Sequence, residues 1–455
     1  MGTINSSFNL SDILSAFSST QGINVQAAVA AAIAAESGPL TQMQNQQAAL
    51  ASQTSDLNVV EGHVQSLETA LNALGDPAGQ LMSMTASSSN SNVVSATASP
   101  GAAPGNHVVV VNNVASTASW YSDSVASNST PLPSGSFTFQ VGSNTPVQVT
   151  IGGSVDTMDQ LASYINGLNA GVTANVVNDS TGSRLSIVAN SSGAANNISI
   201  TNATGVTFTQ ASSGADASLT IDGIPIDSAS NTVTGVVPGV TFNLVSAAPN
   251  TQVNVSTSED VTQASAAVTS FVTAYNQVVS DINQEYTVGA NGVQGPLSGD
   301  PTLSILQSQL LGSGAYSTTG TNVSTLADLG ITMNDDGSLT LDSTTLDSAL
   351  QSNFSAVQNF FQGTASNGFV TFLNNQLNAL TDPTNGAFTV DLQSISNENS
   401  DLQDQINNFE DYLQSQTTLL TNEYNQADAL LQQLPTLEAQ INAELGNSTT
   451  TTTGS

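Results

Sequence analysis

Residues 391–445 read DLQSISNENSDLQDQINNFEDYLQSQTTLLTNEYNQADALLQQLPTLEAQINAEL. Leu392, Ile395, Asn399, Leu402, Ile406, Phe409, Leu413, Gln416, Leu420, Tyr424, Ala427, Leu431 and Leu434 fall three or four residues apart, with one extra step of four from Leu420 to Tyr424. That spacing predicts a helix from about Asp391 to Leu445, kinked at Pro435, whose narrow apolar stripe lies along another rod. Asn399 and Gln416 weaken the seam and set its register. Up to Leu434 the rod is roughly 65 Å long. A compact domain does not need so long and so narrowly striped a helix, so its partner is a second rod of this chain or of a neighbour.

Two further seams exist. Met43, Leu50, Leu57, Val64 and Leu71 share one heptad position, and Gln46, Gln53, Val60, Leu67 and Leu74 share the other. Val261, Ala264, Val268, Phe271, Tyr275, Val278 and Ile282 form a third. The contact set singled out from the three rods is Leu57, Val64, Leu67, Leu71, Val268, Phe271, Tyr275, Leu402, Ile406, Phe409 and Leu413. Three seams from distant parts of one chain predict an α+β multidomain protein: terminal heptad helices form a coiled-coil or helical-bundle leg, and antiparallel β-rich head domains are inserted between them. The competing reading is three amphipathic helices in separate cores.

Charge restricts the partners. Among 455 residues there are 34 Asp and Glu but a single Lys or Arg, Arg184, for a formal charge of −33. Such a surface has nothing with which to release counterions from nucleic acid or an anionic membrane, so nucleic-acid binding is excluded. The longest apolar run, Val25 to Ala35, is too short to span a bilayer. Met1 is not followed by a basic segment, so any export is expected to proceed without a cleaved signal. Cysteine is absent, and neither disulfides nor thiolate metal sites hold the fold. With so few cations to repel one another in acid, the chain is expected to be at least as stable near about pH 3 as near about pH 7. Resistance to proteases that cut after Lys or Arg, and compositional drift, explain the same depletion.

In order, residues 1–38 are a Ser/Asn/Thr-rich segment, Gly2 to Gln21, expected to be mobile, and a short Ala-rich helix from Ile23 to Glu36. Residues 39–90 hold the first rod, which ends at Gly75-Asp76-Pro77. Residues 91–257 change character: β-branched or aromatic runs at 108–111, 137–141, 147–151, 172–177, 185–188, 198–200, 219–226, 240–245 and 253–255 are parted by Gly, Asn, Ser and Pro. They read as two β-rich domains, the inner at about 135–215, with one helix over Asp159 to Leu168. Residues 258–390 continue the bundle with a helix capped at Asp300-Pro301, a hairpin over 331–341 turning at Asp335-Asp336-Gly337, and two Phe-rich helices. Residues 391–446 are the last helix, and Asn447 to Ser455 a polar tail.

A search for chemistry yields no catalytic set, cofactor loop or metal site. His63 and His107 lack a second His or an acid at ligand spacing and read as surface or packing residues. Thr332 to Ser343 offers Asn334, Asp336 and Gly337 at calcium-loop positions, but Thr332 and Ser343 stand where charged ligands are required, so a hairpin turn is the better reading. The chain is expected to be non-enzymatic and to bind no cofactor.

Several local sequences are similar to the filament-capping family of the bacterial flagellum, hook-associated protein 2. They are Gly22-Ile23-Asn24-Val25, Ala34-Ala35-Glu36 with Pro39-Leu40, and Ile224 to Leu244 with Ser230-Asn231-Thr232-Val233 and Pro238-Gly239-Val240-Thr241. Phe271 to Tyr286 also fits. The most specific is Leu326-Ala327-Asp328-Leu329-Gly330-Ile331 followed by Asp336-Gly337-Ser338-Leu339-Thr340-Leu341-Asp342 and Leu346 to Leu350. The resemblance covers both ends and the helical core; in the β-rich middle it is confined to Asp159 to Leu168 and Leu185 to Ser199.

The resemblance implies an extracellular structural protein at the filament tip, a ring of a few copies with helical legs in the filament end, which promotes insertion and folding of exported flagellin and prevents its loss. Its implied partners are further copies of itself, flagellin, and an export chaperone on the C-terminal helix; roles in motility and cell adhesion accompany it. Where the family has Lys and Arg in its last helices, this chain has Gln, Thr and Asn, so apolar seams and amide hydrogen bonds must hold the rods. A flagellin-like or hook–filament junction subunit and a secreted glycan-binding adhesin are the other classes that fit this composition.

Overall fold

The computed structural model describes residues 24–289, 292–319, 322–363 and 367–448, with side chains to residue 444. Of the two ends expected to be mobile, Gly2 to Gln21 and residues 449–455 lie outside the described residues, while Asn447 and Ser448, expected in the tail, belong to the last helix.

The helices start and stop where backbone chemistry requires. The Asn24 side chain accepts from the Ala27 N–H and opens α1 (Val25–Glu36). Ser37 separates it from α2 (Gly38–Gly75), whose second residue, Pro39, occupies a first-turn position where no backbone donor is needed. The chain then enters the head. Its strands are β1 (Met84–Ser88), β2 (Val94–Ala98), β3 (Gly105–Asn113), β4 (Ser119–Ser122), β5 (Gly135–Val141) and β6 (Val147–Ile151). After α3 (Met158–Gly167) come β7 (Val172–Asp179), β8 (Gly182–Ala189), β9 (Ile198–Thr201), β10 (Phe208–Ser212), β11 (Ala217–Ile221), β12 (Ile224–Ser228), β13 (Thr232–Val237), β14 (Val240–Leu244) and β15 (Val253–Glu259). Asp260 caps α4 (Val261–Tyr286), and Asp300 caps α5 (Pro301–Ser313) by accepting from the N–H groups of Thr302 and Leu303. A two-strand hairpin, β16 (Ile331–Met333) and β17 (Leu339–Leu341), precedes α6 (Ser343–Gln362), α7 (Phe369–Thr381) and α8 (Ala387–Ser448). The last helix continues past Pro435, where the sequence suggested a kink, and it begins four residues before Asp391.

One hydrophobic cluster unites α2, α4, α5, α6, α7 and the first part of α8, so the three seams lie in a single bundle and not in separate cores. The head has two further clusters. The outer one is lined by the sheet ordered β1-β15-β3-β11-β12 and by β13-β14-β2. The inner one, from Ala118 to Val206, is lined by β10-β4-β8-β7, β6-β5-β9 and α3. The chain leaves the five-stranded sheet after β3 and returns to pair β11 antiparallel with β3, which makes the inner unit an insertion. Along β8 buried and half-buried residues alternate strictly, as expected for a strand with one face on a core. Head and leg are joined where β1 pairs antiparallel with β15, Met84 opposite Glu259, immediately before α4.

Three sequence expectations need correction. The run 219–226 is not one strand: Asp222 (φ 51°) and Gly223 (φ 80°) form a left-handed two-residue turn between β11 and β12, the conformation that an Asp-Gly pair favours. Sheet structure starts at Met84, inside the stretch assigned to the first rod, and β4 starts at Ser119, ahead of residue 135. Five strands, β1, β2, β4, β10 and β13, have no counterpart among the expected runs; β1, β2, β10 and β13 are edge strands rich in Ser and Thr, whose pairing rests on backbone hydrogen bonds more than on buried side chains.

Candidate functional site

The candidate site is the helical leg and its outer end. Leu57, Val64, Leu67, Leu71, Val268, Phe271 and Tyr275 have no exposed surface, and Leu402 and Ile406 are buried with them. Leu413 is buried further out. Phe409, singled out with these, is only half-buried and stands outside the cluster, its ring 5.7 Å from that of Tyr412. At the other end of the bundle Phe271, Tyr316, Phe360 and Phe361 surround Phe369, which stacks on Phe360 at 5.7 Å and meets Phe271 edge-on at 5.5 Å, and Phe372 packs on Tyr316. Tyr275 sits among them with its hydroxyl donating to the Leu310 carbonyl at 2.9 Å, and burial pushes its pKa up to about 12.

Apart from one His–Asp contact between α2 and α4, the polar contacts between rods are made by amides. Gln47 of α2 donates to Gln403 of α8 at 2.7 Å, Asn374 of α7 donates to Asn72 of α2 at 2.8 Å, and Gln362 of α6 donates to the Leu74 carbonyl at 3.2 Å. Asn276 of α4 grips the 331–341 hairpin with both ends of its amide: its Nδ2 donates to the Leu339 carbonyl and its Oδ1 accepts from the Leu339 N–H, each at 2.7 Å. Asn276→Ala leaves both groups of Leu339 without that partner, at a cost of about 1–3 kcal/mol. Hydrogen exchange is expected to show the Leu339 amide exchanging faster while amides in β8 are unchanged. The hairpin turn itself is an Asx turn, with Asp336 Oδ1 accepting from the N–H and hydroxyl of Ser338.

The three side chains able to carry positive charge each meet an aspartate. His63 Nδ1 of α2 lies 2.5 Å from Asp281 Oδ2 of α4, His107 Nδ1 of β3 lies 2.8 Å from Asp222 Oδ2, and Arg184 Nε donates to Asp179 Oδ2 at 2.8 Å. Sequence spacing hid both His contacts, because the partners are 218 and 115 residues away. Among the described residues no cluster of three or more His, Cys, Asp or Glu is arranged to hold a metal. No described helix is long and apolar enough to cross a membrane.

Several carboxylates are held below their ordinary range by hydrogen bonds. The Thr181 hydroxyl, then Arg184, lowers Asp179 to about 2; the His107 ring lowers Asp222; and local N–H and hydroxyl donors lower Asp328, Asp336, Asp342 and Asp382. Burial, with the Asp391 carboxylate nearby, raises Asp300. A lowered group contributes stability above its unfolded value near 3.8 and loses it as pH falls through its folded value, for Asp179 about 2. Asp300 has the opposite sign, contributing below its unfolded value and losing that as pH rises. Relief of the negative self-repulsion acts with Asp300 on the way down. The melting temperature is therefore expected to rise from about pH 7 to about pH 4 and to fall only below that. A steady fall between about pH 7 and pH 5 in thermal melts contradicts this.

Beyond Leu413 the last helix passes against α1, in antiparallel contact: Tyr412 stands beside Glu36, while Thr417, Thr421 and Asn425 face Ile33, Val29 and Val25 across an open groove of about 690 Å³. Residues 429–444 of α8 are exposed throughout, including Leu430, Leu431, Leu434, Leu437 and Ile441. The seam that begins against α2 thus ends as an uncovered apolar stripe.

The chain matches the family description Flagellar hook-associated protein 2 N-terminus over residues 21–118 and Flagellar hook-associated protein 2 C-terminus over 214–436, with a Flagellin hook IN motif over 136–191. It is 28% identical to the B-type flagellar hook-associated protein 2 of Pseudomonas aeruginosa over 70% of this chain and 74% of that protein. With the flagellar hook-associated protein 2 of Escherichia coli K12 the identity is 24% over 94% of this chain and 97% of that protein. The crystal structure of the D1-D2-D3 domains of the flagellar cap protein FliD from Escherichia coli shares the fold, with a TM-score of 0.61, 23% identity, and coverage of 75% of this chain and 99% of that one.

Proposed function

Because the chain belongs to the flagellar hook-associated protein 2 family, in which it is a structural protein and not an enzyme, we propose that it caps the distal tip of a bacterial flagellar filament as a ring of copies. There it promotes insertion and folding of exported flagellin and prevents its loss. The observation that carries this reading is the leg: the first and last described helices, α1 and α8, run along one another, and among the described residues the outer end of α8 presents an exposed apolar stripe. A closed ring needs two different faces on each copy, and a leg with an uncovered end supplies contact to the filament without occupying either. We take residues 84–259 as head and the flanking helices as leg, and Leu57, Val64, Leu67, Leu71, Val268, Phe271, Tyr275, Leu402 and Ile406 as the contacts that keep the leg straight. An export chaperone would hold the same stripe, Leu430 to Ile441, before assembly. Export without a cleaved signal and residence outside the cell follow from the same reading.

Electron microscopy of a strain lacking the gene tests it. The expected result is short filaments, with flagellin lost to the medium and length restored by the intact gene. Filaments of normal length would overturn the capping function, and open filaments of the purified chain in place of closed rings would favour a junction or flagellin-like subunit.

A further inference from the structure

Lys and Arg are depleted in this chain, and charge in general is not. It keeps 34 carboxylates and has a single Lys or Arg, Arg184, where ordinary usage gives roughly fifty basic residues at this length. A general shedding of charge would have thinned both signs. A trypsin-like enzyme holds a guanidinium or ammonium group in an acidic pocket beside its nucleophile and cuts the bond that follows. In all 455 residues it meets one such bond, Arg184–Leu185.

The fold encloses that bond. Arg184 and Leu185 lie in β8, which runs between β4 and β7 in a sheet of the inner head. On one side Arg184 pairs with Val177 of β7. On the other, the Leu185 N–H donates to the Ser122 hydroxyl at 2.8 Å, and Ser183 exchanges backbone hydrogen bonds with Val125 at 2.8 and 2.9 Å. Ser183 is buried and Leu185 has no exposed surface. The side chain is engaged as well: Arg184 donates from Nε to Asp179, from Nη1 to the Ser122 carbonyl and from Nη2 to the Thr181 hydroxyl, with its guanidinium carbon 5.7 Å from the centre of the Tyr121 ring. Three acceptors in three directions call for a fork of five donors, which an amide with two does not replace.

We propose that the folded chain withstands proteases that cut after Lys or Arg, with Arg184–Leu185 as its one, cryptic cleavage site. Such an enzyme takes its substrate as an extended strand along its own cleft, and a strand already held on both sides is not available until β4 or β7 has come away. In the cleavage, water adds a hydroxyl to the Arg184 carbonyl carbon and a proton to the Leu185 nitrogen as the bond between them breaks. That step waits on opening of the inner head, so its rate follows the population of the opened form. Enzymes of other specificity meet no such barrier. Leu430, Leu431, Leu434 and Leu437 are exposed at the outer end of α8 and suit a protease that cuts after large apolar residues. The protection is therefore directed at one class of enzyme, and it holds whatever the chain caps.

The test is digestion of the full chain with trypsin and, in parallel, with chymotrypsin, followed by intact-mass measurement, with a synthetic peptide of residues 178–190 as the unfolded reference for the same bond. Trypsin is expected to cut the native chain at least about a thousandfold more slowly than the peptide, and to yield only the pieces 1–184 and 185–455 when it does. Chymotrypsin is expected to trim the native chain within the exposed end of α8. Val293→Arg places a second arginine in the loop between α4 and α5, at a position 67% exposed and outside any strand. Trypsin is expected to cut that variant after residue 293 while Arg184–Leu185 stays whole. Slowing of the Arg184 cut by less than a thousandfold overturns the proposal. So does a native chain that chymotrypsin leaves whole, or a Val293→Arg chain that trypsin does not cut, because general rigidity then explains the resistance.

Discussion

Leu67→Asp is expected to lower the melting transition of the leg by on the order of 10 °C and to leave the head transition where it is. Leu67 has no exposed surface and lies in the cluster shared by α2, α4 and α8. A carboxylate there loses its hydration with no Lys or Arg in the leg to meet it and with His63, one turn away, already on Asp281, and protonation only replaces a charge with an unpaired polar group. The cost is roughly 3–5 kcal/mol, against total stabilities of about 5–15 kcal/mol for a domain. For a unit of this size each kcal/mol moves the midpoint by about 2–4 °C. Ile406→Asp, on the facing helix, is expected to act in the same direction. Because the inner and outer head cores share no residue with the leg cluster, two calorimetric transitions are expected in the variant. A wild-type leg transition in either variant means that the seam is not a dry contact.

Phe369→Ala is expected to be as damaging at the other end of the bundle. The ring is fully buried and touches four other aromatic rings, from Phe271 on α4, Tyr316 after α5, and Phe360 and Phe361 on α6. Removing it deletes the transfer free energy of the ring and leaves a void walled by rigid neighbours that cannot all move inward, a cost of about 3–5 kcal/mol. Edge-on and stacked ring pairs add to that. Phe369→Leu keeps most of the volume and is expected to recover more than half of the loss in chemical denaturation. Equal losses for Ala and Leu mean that ring geometry matters more than filling.

What is legible in a linear sequence is what is set locally. The rods are readable because burying one side of a helix imprints a 3.5-residue spacing on the chain itself, and every seam residue of α4 from Ala264 to Ile282 is buried accordingly. Helix starts at Asn24, Asp260 and Asp300, and the turn of the 331–341 hairpin, follow from side chains that satisfy backbone groups two or three residues away. The Asp222-Gly223 turn is equally local in its chemistry, yet Leu219 and Ile221 on one side and Ile224 and Ile226 on the other mask the break.

Tertiary structure alone decides the rest. The Ser/Thr-rich edge strands β1 and β10 carry little side-chain signal, and their place depends on β15 and β4, which lie far along the chain. Phe409 shares the periodicity of Ile406 but not its burial, although Leu413 beyond it is buried, because whether a stripe position is covered depends on what the neighbouring helices place opposite it. The counter-charges of His63 and His107 come from 218 and 115 residues away. Spacing reports which side of an element is apolar; only the folded chain brings Asp281 to His63, and only there does the near absence of basic residues become the complete internal use of those that remain.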